Sequence, residues 1–479
     1  MTQVGPWDPS MPWPGTAGGA AAPSWGEHIR LFMLAALEAG TPFRLGPDPA
    51  DQLDAGNVLG GGDIAPLADQ PEMRLWHDMS CDVIDIEISG GSTSSDGIFS
   101  KADAATCTVT LADPKGIYDP LNPVPPFVFG GHSRLTPGVP VHAFCEVVDP
   151  ATSAITQHDL FTGTADSWSE DWTPRPTNRQ AKLVASDETK RWARYDRPEQ
   201  PPAGQGDTTE QRVQRLVDFY GWPGEIEPAP YSTVTLQSTT LAQSGWELLN
   251  RVLDDEIGFV HFTRSGKLRW TNRAAWISVS APPVVELGCD PAMHDVLIDA
   301  TPHTVDAQVR NRIAAARSGG GGEQVVQSLA SIERFGAYEY SRDDLGVETD
   351  TLAAKWAADV LLLYAFPILG LDDITMLPGI ADDSWNVWND VLEVMLVTDT
   401  ARVKWAPPDR PTAIIDHLSR VIGFTHRITR AHWEVTWYLV PADLLGMSGA
   451  VFTLGPNPRD RLDAGNVLGL AAAPALALT

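Results

Sequence analysis

Alternation of apolar and polar residues is the dominant pattern of the chain. Ile84, Ile86 and Ile88 alternate with Asp85 and Glu87, and Cys107, Val109 and Leu111 alternate with Thr106, Thr108 and Thr110. A period of two marks strands with one face buried. Val139, Val141, Ala143, Cys145 and Val147 repeat it, and LFTGTADSWSEDW (160–172) reads as a strand that kinks at Gly163. Near the end, Ile422, Phe424, His426 and Ile428 alternate, then Trp433, Val435, Trp437 and Leu439, which predicts a hairpin turning at 429–432. Many short strands separated by Gly/Pro turns predict a barrel or a sandwich.

In the middle of the chain the period changes to that of a helix. Thr208 with Gln211 forms a capping-box signature ahead of Val213, Leu216, Val217 and Tyr220, with Gly221 and Pro223 as the stop. Ser244 with Glu247 opens a second helix with Leu248, Leu249, Val252 and Leu253 as its buried stripe. STVTLQ (232–237) and GFVHFTRSGKLRW (258–270) read as strands, the latter a hairpin turning at 264–266. After the Pro-rich stretch 281–283 strands resume, with a flexible loop at 319–322. A long helix over 352–366 carries Leu352, Trp356, Val360 and Leu363 on one stripe and ends at Pro367. The expected fold class is mainly β with an α/β insertion. Its divisions are an N-terminal arm (1–27), a first β-barrel domain (28–200), a small α/β domain (201–280), a second β-barrel domain with a long helix (281–445), and a C-terminal segment (446–479).

One stretch occurs twice. FRLGPDPADQLDAGNVLG (43–60) returns as FTLGPNPRDRLDAGNVLG (452–469), with changes only at Arg44/Thr453, Asp48/Asn457, Ala50/Arg459 and Gln52/Arg461. Tandem solenoids repeat at short, regular periods, whereas these copies lie near the two ends of the chain and bracket the fold. In each copy the prolines fix φ and remove donors, and Asp-Ala-Gly-Asn permits turns with positive φ. Leu53/Leu462 and Leu59/Leu468 are the candidate buried anchors, and Asp54/Asp463 and Asn57/Asn466 the candidate turn-closing side chains. Two readings stand: a duplicated loop with a packing role only, or two loops that dock on equivalent surfaces. The second reading makes these eight residues candidate interaction residues.

Composition narrows the chemistry. With 479 residues and a formal net charge of −28, from 34 basic against 62 acidic side chains, stable binding to nucleic-acid phosphates is disfavoured and protein partners are favoured. Cys81, Cys107, Cys145 and Cys289 contain no CxxC spacing and suit a reduced compartment. The most apolar early run, 29–37, is nine residues long against the roughly 20 needed to span a bilayer. It also lacks the basic flank and cleavage site of a signal peptide. No HExxH, Walker A, GxSxG or GxGxxG motif occurs, and the eleven histidines have no metal-ligand spacing. The expectation is therefore a protein that is not an enzyme and holds no cofactor or metal. His294-Asp295 near Cys289 lacks the surroundings of a Cys/His hydrolase. Asp254-Asp255 and Asp343-Asp344 read as solvated faces rather than a glycosidase pair. The seventeen tryptophans fall mostly at core-type positions, although exposed ones could stack on sugar.

Several segments carry a family resemblance. TCTVTLADPKGIYDPLNP (106–123), LTPGVPVHAF, LFTGTADSWSEDW, SDETKRWARY (186–195) and RVIGFTHRITRAHWEVTWYLVPADLL together resemble minor tail proteins of siphophages that infect actinobacteria. The shared features are YDPxNP at 118–123, F-x-G at 161–163 and G-x-x-H at 423–426. The Lys/Arg split of 7 to 27 suits a GC-rich genome. The resemblance implies a tail-tip (baseplate) hub: two β-barrels and an α/β domain in a chain that assembles as a homotrimer. Three chains would give a pseudo-sixfold ring between a sixfold tail tube or distal tail protein and a threefold tip. It further implies partners among the tape measure and other minor tail proteins, a place at the virion tail tip after assembly in the host cytoplasm, and DNA passing through without stable binding. Two alternatives stay open, a receptor- or cell-wall-carbohydrate-binding minor tail protein and a tail-associated cell-wall hydrolase.

Overall fold

The alternating segments become strands, and most of those strands join one sheet. The computed structural model describes residues 29–39, 74–93, 99–122, 127–129, 132–171, 179–195, 198–227, 231–241, 244–277, 283–288, 293–294, 296–304, 309–320, 322–367, 369–381, 384–405, 415–442 and 476–478. Among these the main sheet has 13 strands. Its order is Leu297–Thr304, Leu369–Met376, Trp433–Pro441, Ile415–Thr429, Val83–Gly91, Asp103–Ala112, Gln180–Ser186, Ile155–Asp171, Pro140–Val148, Ile29–Ala39 and Arg74–Asp78. Thr400–Trp405 pairs with the remaining edge of Ile415–Thr429, and Val285–Gly288 joins it in parallel. The fold is mainly β, with few helices. The apolar run at 29–37 is the start of a strand, with Ile29, Met33, Ala35, Ala36 and Leu37 buried.

Two long strands each serve two partners. Ile155–Asp171 pairs with Pro140–Val148 through Thr164 and with Gln180–Ser186 from Thr164 onward, so the change of partner falls beside Gly163, where the kink was expected. Ile415–Thr429 pairs with Thr400–Trp405 through residues 415–420 and with Val83–Gly91 through residues 423–429. This second exchange is a seam between the N-terminal and C-terminal halves of the sheet. The halves are thus hydrogen-bonded to one another rather than merely adjacent. Within the C-terminal half, a parallel bridge between Leu287 and His294, just ahead of Leu297–Thr304, brings the far strands back together. There Gly288 N–H donates to the His294 carbonyl at 2.9 Å and His294 N–H to Glu286 at 3.1 Å.

The seam demands glycine. Gly91 has a φ of 78°, in the left-handed region, and a Cβ there would overlap the Ile422 carbonyl oxygen. A Cβ on Gly423 would overlap the Ser92 carbonyl oxygen. Two backbones cross here at a separation that leaves no room for side chains.

The helices follow their local signals. Both capping boxes are present, Thr208 with Gln211 ahead of Thr209–Tyr220 and Ser244 with Glu247 ahead of Gly245–Glu256. Phe259–Phe262 and Leu268–Thr271 form the expected hairpin. Of 232–237 only Thr235–Leu236 pairs, with Asp207–Thr208. Glu188–Arg194, Leu329–Phe335 and Ser384–Glu393 are helices that the apolar pattern did not single out. The long helix spans Asp350–Tyr364, starting early because Thr349 accepts from the Leu352 N–H. It packs on a separate four-stranded sheet rather than on the large one. In that sheet Arg312–Arg317 lies between Gln324–Ser328 and the parallel Glu339–Leu345, with Leu476–Leu478 outermost.

Gly423→Ala is expected to cost about 1–3 kcal/mol through overpacking at the seam, read as a lower urea midpoint. Gly322→Ala, where a Cβ meets nothing within 4 Å, should stay within about 0.5 kcal/mol of wild type. Equal midpoints for the two variants would show that the seam accommodates a side chain.

Candidate functional site

All eight candidate interaction residues, Leu53, Asp54, Asn57, Leu59, Leu462, Asp463, Asn466 and Leu468, lie outside the described residues, as does the arm. Their stems are described. The first copy falls in the connection between Ile29–Ala39 and Arg74–Asp78, which pair antiparallel at one edge of the main sheet. The second falls between Trp433–Pro441 and Leu476–Leu478. Successive antiparallel pairings from Ile29–Ala39 to Trp433–Pro441 make these two strands run in opposite directions. The chain therefore enters the two copies from opposite strand ends, and any equivalence between the copies is set within 40–73 and 443–475.

The motifs that carry the resemblance make structural contacts. Beyond Asp103–Ala112, buried Asp113 accepts from the N–H groups of Ile117 and Tyr118 at 2.7 and 2.8 Å. Asn122 donates to the Gly116 carbonyl at 2.6 Å, which closes the turn. The Tyr118 hydroxyl donates to Asp82 at 2.7 Å, so the YDPLNP turn is pinned to the short turn that leads into Val83–Gly91. Burial, reinforced by that hydrogen bond, raises the Tyr118 pKa and keeps the phenol neutral. Leu121, at the tip, is 75% exposed. Phe161 of F-x-G is buried two residues before the partner exchange. Gly423 of G-x-x-H is the seam glycine, and His426 is buried with Nδ1 accepting from Trp433 Nε1 at 3.2 Å. Burial lowers the His426 pKa to about 3, so the ring is a neutral core group.

Around the seam the other modules dock. Arg264, at the turn of the hairpin, donates to the Val394 carbonyl at 2.6 Å and lies over the Phe424 ring at 5.6 Å. Arg269 reaches Glu227 at 3.1 Å and the Thr398 hydroxyl at 2.9 Å. Helix Ser384–Glu393 bridges the halves. His158 Nε2 bonds Asn389 Oδ1 at 2.8 Å, His294 pairs with Asp390 at 2.9 Å, and Trp388 packs on Trp433 with centroids 4.5 Å apart. His294, read as a candidate partner of Cys289, is thus committed to Asp390, while Cys289 lies outside the described residues. Burial raises the Cys107 and Cys145 pKa values, which leaves poor nucleophiles. Among the described residues no three His, Cys, Asp or Glu side chains gather in a metal-binding group, and no helix is long and apolar enough to cross a membrane.

A concavity lies elsewhere, between helices Thr209–Tyr220 and Gly245–Glu256, the segment 236–240, Ser318 and Gly346, with a volume of about 300 Å³. Asp255 is on its wall, and the Asp254-Asp255 pair departs from the solvated face expected. Asp254 points outward to Lys101 at 2.9 Å, while Asp255 is buried, 3.4 Å from Arg342. Burial raises the Asp255 pKa to about 7 against the opposing pull of Arg342 and the Gly346 N–H. Asp343 and Asp344 are exposed, as expected.

No family model and no curated protein matches the chain. Solved structures with a similar fold include the tail protein from Neisseria meningitidis MC58, at 13% identity over 77% of this chain and 94% of that one, with a TM-score of 0.49. The 43 kDa tail protein of prophage MuSo2 from Shewanella oneidensis matches at 13% identity over 78% and 96%, with a TM-score of 0.47. The prophage tail protein gp18 from Listeria monocytogenes EGD-e matches at 10% identity over 76% and 91%, with a TM-score of 0.44.

A carboxyl group whose folded pKa is raised stabilises most at low pH and loses that contribution as pH rises through the folded value. Asp255→Asn cannot ionise, so wild type should lose stability relative to this variant as pH rises from about 4 toward 7, and the difference should level off above pH 7. Urea midpoints of both proteins at each pH measure the difference, and a constant difference would show that Asp255 is charged throughout.

Proposed function

We propose that the chain is a structural component of a phage tail tip, a hub that is not an enzyme and holds no cofactor. The observation that carries this reading is the placement of the family motifs. YDPLNP, F-x-G and G-x-x-H mark the turn below the seam strand, the partner exchange of the first half, and the seam itself. They specify how two β halves are joined in one chain, and that joining is what a ring of alternating halves requires. Three copies would present six similar faces to a sixfold tube or distal tail protein and three tips below. The tape measure and other minor tail proteins would be further partners, and DNA would pass without stable binding.

The carbohydrate-binding alternative has less support. Trp76, at 42%, is the strongly exposed tryptophan among the described residues, whereas sugar platforms use several aromatic faces.

Light scattering after gel filtration should give three times the 51.8 kDa chain mass, for the protein alone or with its distal tail neighbour. A monomer under both conditions would remove the hub reading. In the same assembly the two LDAGNVLG loops would seat on equivalent neighbour sites through Leu53 and Leu59, and Leu462 and Leu468, with Asp54, Asn57, Asp463 and Asn466 closing the turns. A buried leucine is worth about 1.5–3 kcal/mol, so Leu53→Asp combined with Leu462→Asp should weaken ring docking far more than either change alone. Additive or negligible effects in a docking assay would leave the repeat with a packing role only.

A further inference from the structure

We propose that the cavity between helices Thr209–Tyr220 and Gly245–Glu256 is a binding site for an aliphatic carboxylate, with Arg251 as its anchor. One wall is apolar, made by Leu216, Leu248 and Val252. The opposite rim carries the side chains of Ser238, Thr240 and Ser318, which make no hydrogen bond among the described residues. The cavity volume, about 300 Å³, lies at the lower end for small-molecule sites.

The two arginines on the wall differ in kind. Arg212 is buried and spent: it donates to Asp207, the Thr239 hydroxyl, and the Gly204 and Gln237 carbonyls. It braces the 236–240 segment with four of its five N–H donors. Arg251 is half-buried and makes no salt bridge or hydrogen bond among the described residues. Asp255 and Asp344 are near enough for their pKa values to be lowered by its charge, yet neither is in contact. A guanidinium held beside an apolar wall, with hydroxyls opposite, fits a carboxylate on a short aliphatic body.

Asp255 shares the cavity and decides the pH response. It faces Arg342 from the strand Glu339–Leu345, and Arg251 and Asp254 from its own helix, while Arg212 across the cavity shares Asp207 with Arg215. When Asp255 is protonated, Asp344 is the ionised carboxylate left within reach of the Arg251 charge, and the site is less negative by one. Binding should therefore tighten below about pH 7 and weaken above it.

Calorimetric titration of the full chain with 4-methylpentanoate, N-acetyl-glycyl-leucine and 4-methylpentanamide tests the assignment at pH 6 and pH 8. Expected are binding of a carboxylate at pH 6, affinity at least about tenfold weaker for the amide, and weaker carboxylate binding at pH 8. A tenfold change corresponds to about 1.4 kcal/mol. Arg251→Gln should abolish the preference for acid over amide, and Arg251→Lys should keep part of it, with unchanged circular dichroism in both. Binding of 4-methylpentanoate assigns the site to small acids, and binding of N-acetyl-glycyl-leucine alone assigns it to a polypeptide chain end. The proposal is overturned if neither acid binds, if acid and amide bind equally, or if Arg251→Gln leaves the preference intact.

Discussion

The backbone crossing at Gly91 and Gly423 is the constraint on which the rest of the molecule depends. It joins Val83–Gly91 to Ile415–Thr429 in register from Gly423↔Gly91 to Thr429↔Asp85, between segments more than 300 residues apart in the chain. Closing so long a connection carries an entropy cost that grows only slowly with length. Seven paired residues and a continuous apolar face can therefore offset it, but only if the register is single. The glycines secure the approach, and alternation secures the register, because a slip of one residue would turn Phe424 and His426 out of the core. Once the seam forms, the docking positions of the Arg264 hairpin and of helix Ser384–Glu393 are fixed, since both contact segments contributed by each half.

What the sequence disclosed was local. The hairpin ending at Pro441, the two capping boxes and the Gly163 kink are each written within a dozen residues, so pattern alone locates them. The seam was not legible, because nothing near Val83 names Ile415–Thr429 as its neighbour. Helix Ser384–Glu393 could have been found: Val387, Trp388, Val391 and Leu392 stand at helical spacing and are buried. Glu188–Arg194 is too short for a period to show, but Asp187, whose side chain accepts from Thr189 N–H, was a readable cap. Asp254 and Asp255 illustrate a subtler limit. Adjacent residues on a helix point about 100° apart, so one carboxylate reaches solvent and Lys101 while the next enters the interior.

The α/β region adds buried polar contacts to an apolar interior. Buried Glu256 accepts from the Thr209 and Ser232 hydroxyls at 2.7 and 2.6 Å, and Arg273 reaches Asp359 of the long helix at 2.6 Å. Trp356 Nε1 donates to the Asp254 carbonyl at 3.1 Å. Buried charges bring little net stability unless every partner is met, but their bonds are directional. Here they add direction to the contact between the α/β region and the long helix. The division is between a seam that holds by shape and a polar interface that holds by direction.

Charge follows the same division. The cations seen in the interior and at the junctions are largely committed: Arg212 to Asp207, Arg273 to Asp359, Arg342 to Asp255, Arg269 to Glu227 and Arg402 to Asp416. Pairing all 34 basic side chains would still leave 62 − 34 = 28 carboxylates without a partner. Among the described residues the buried carboxylates are Asp113, Asp119, Asp187, Asp207, Asp255 and Glu256. A net charge of that sign repels phosphate and disfavours the counterion release that holds DNA to basic proteins. Rigidity is built from the arginines, and the excess of charge is left to carboxylates.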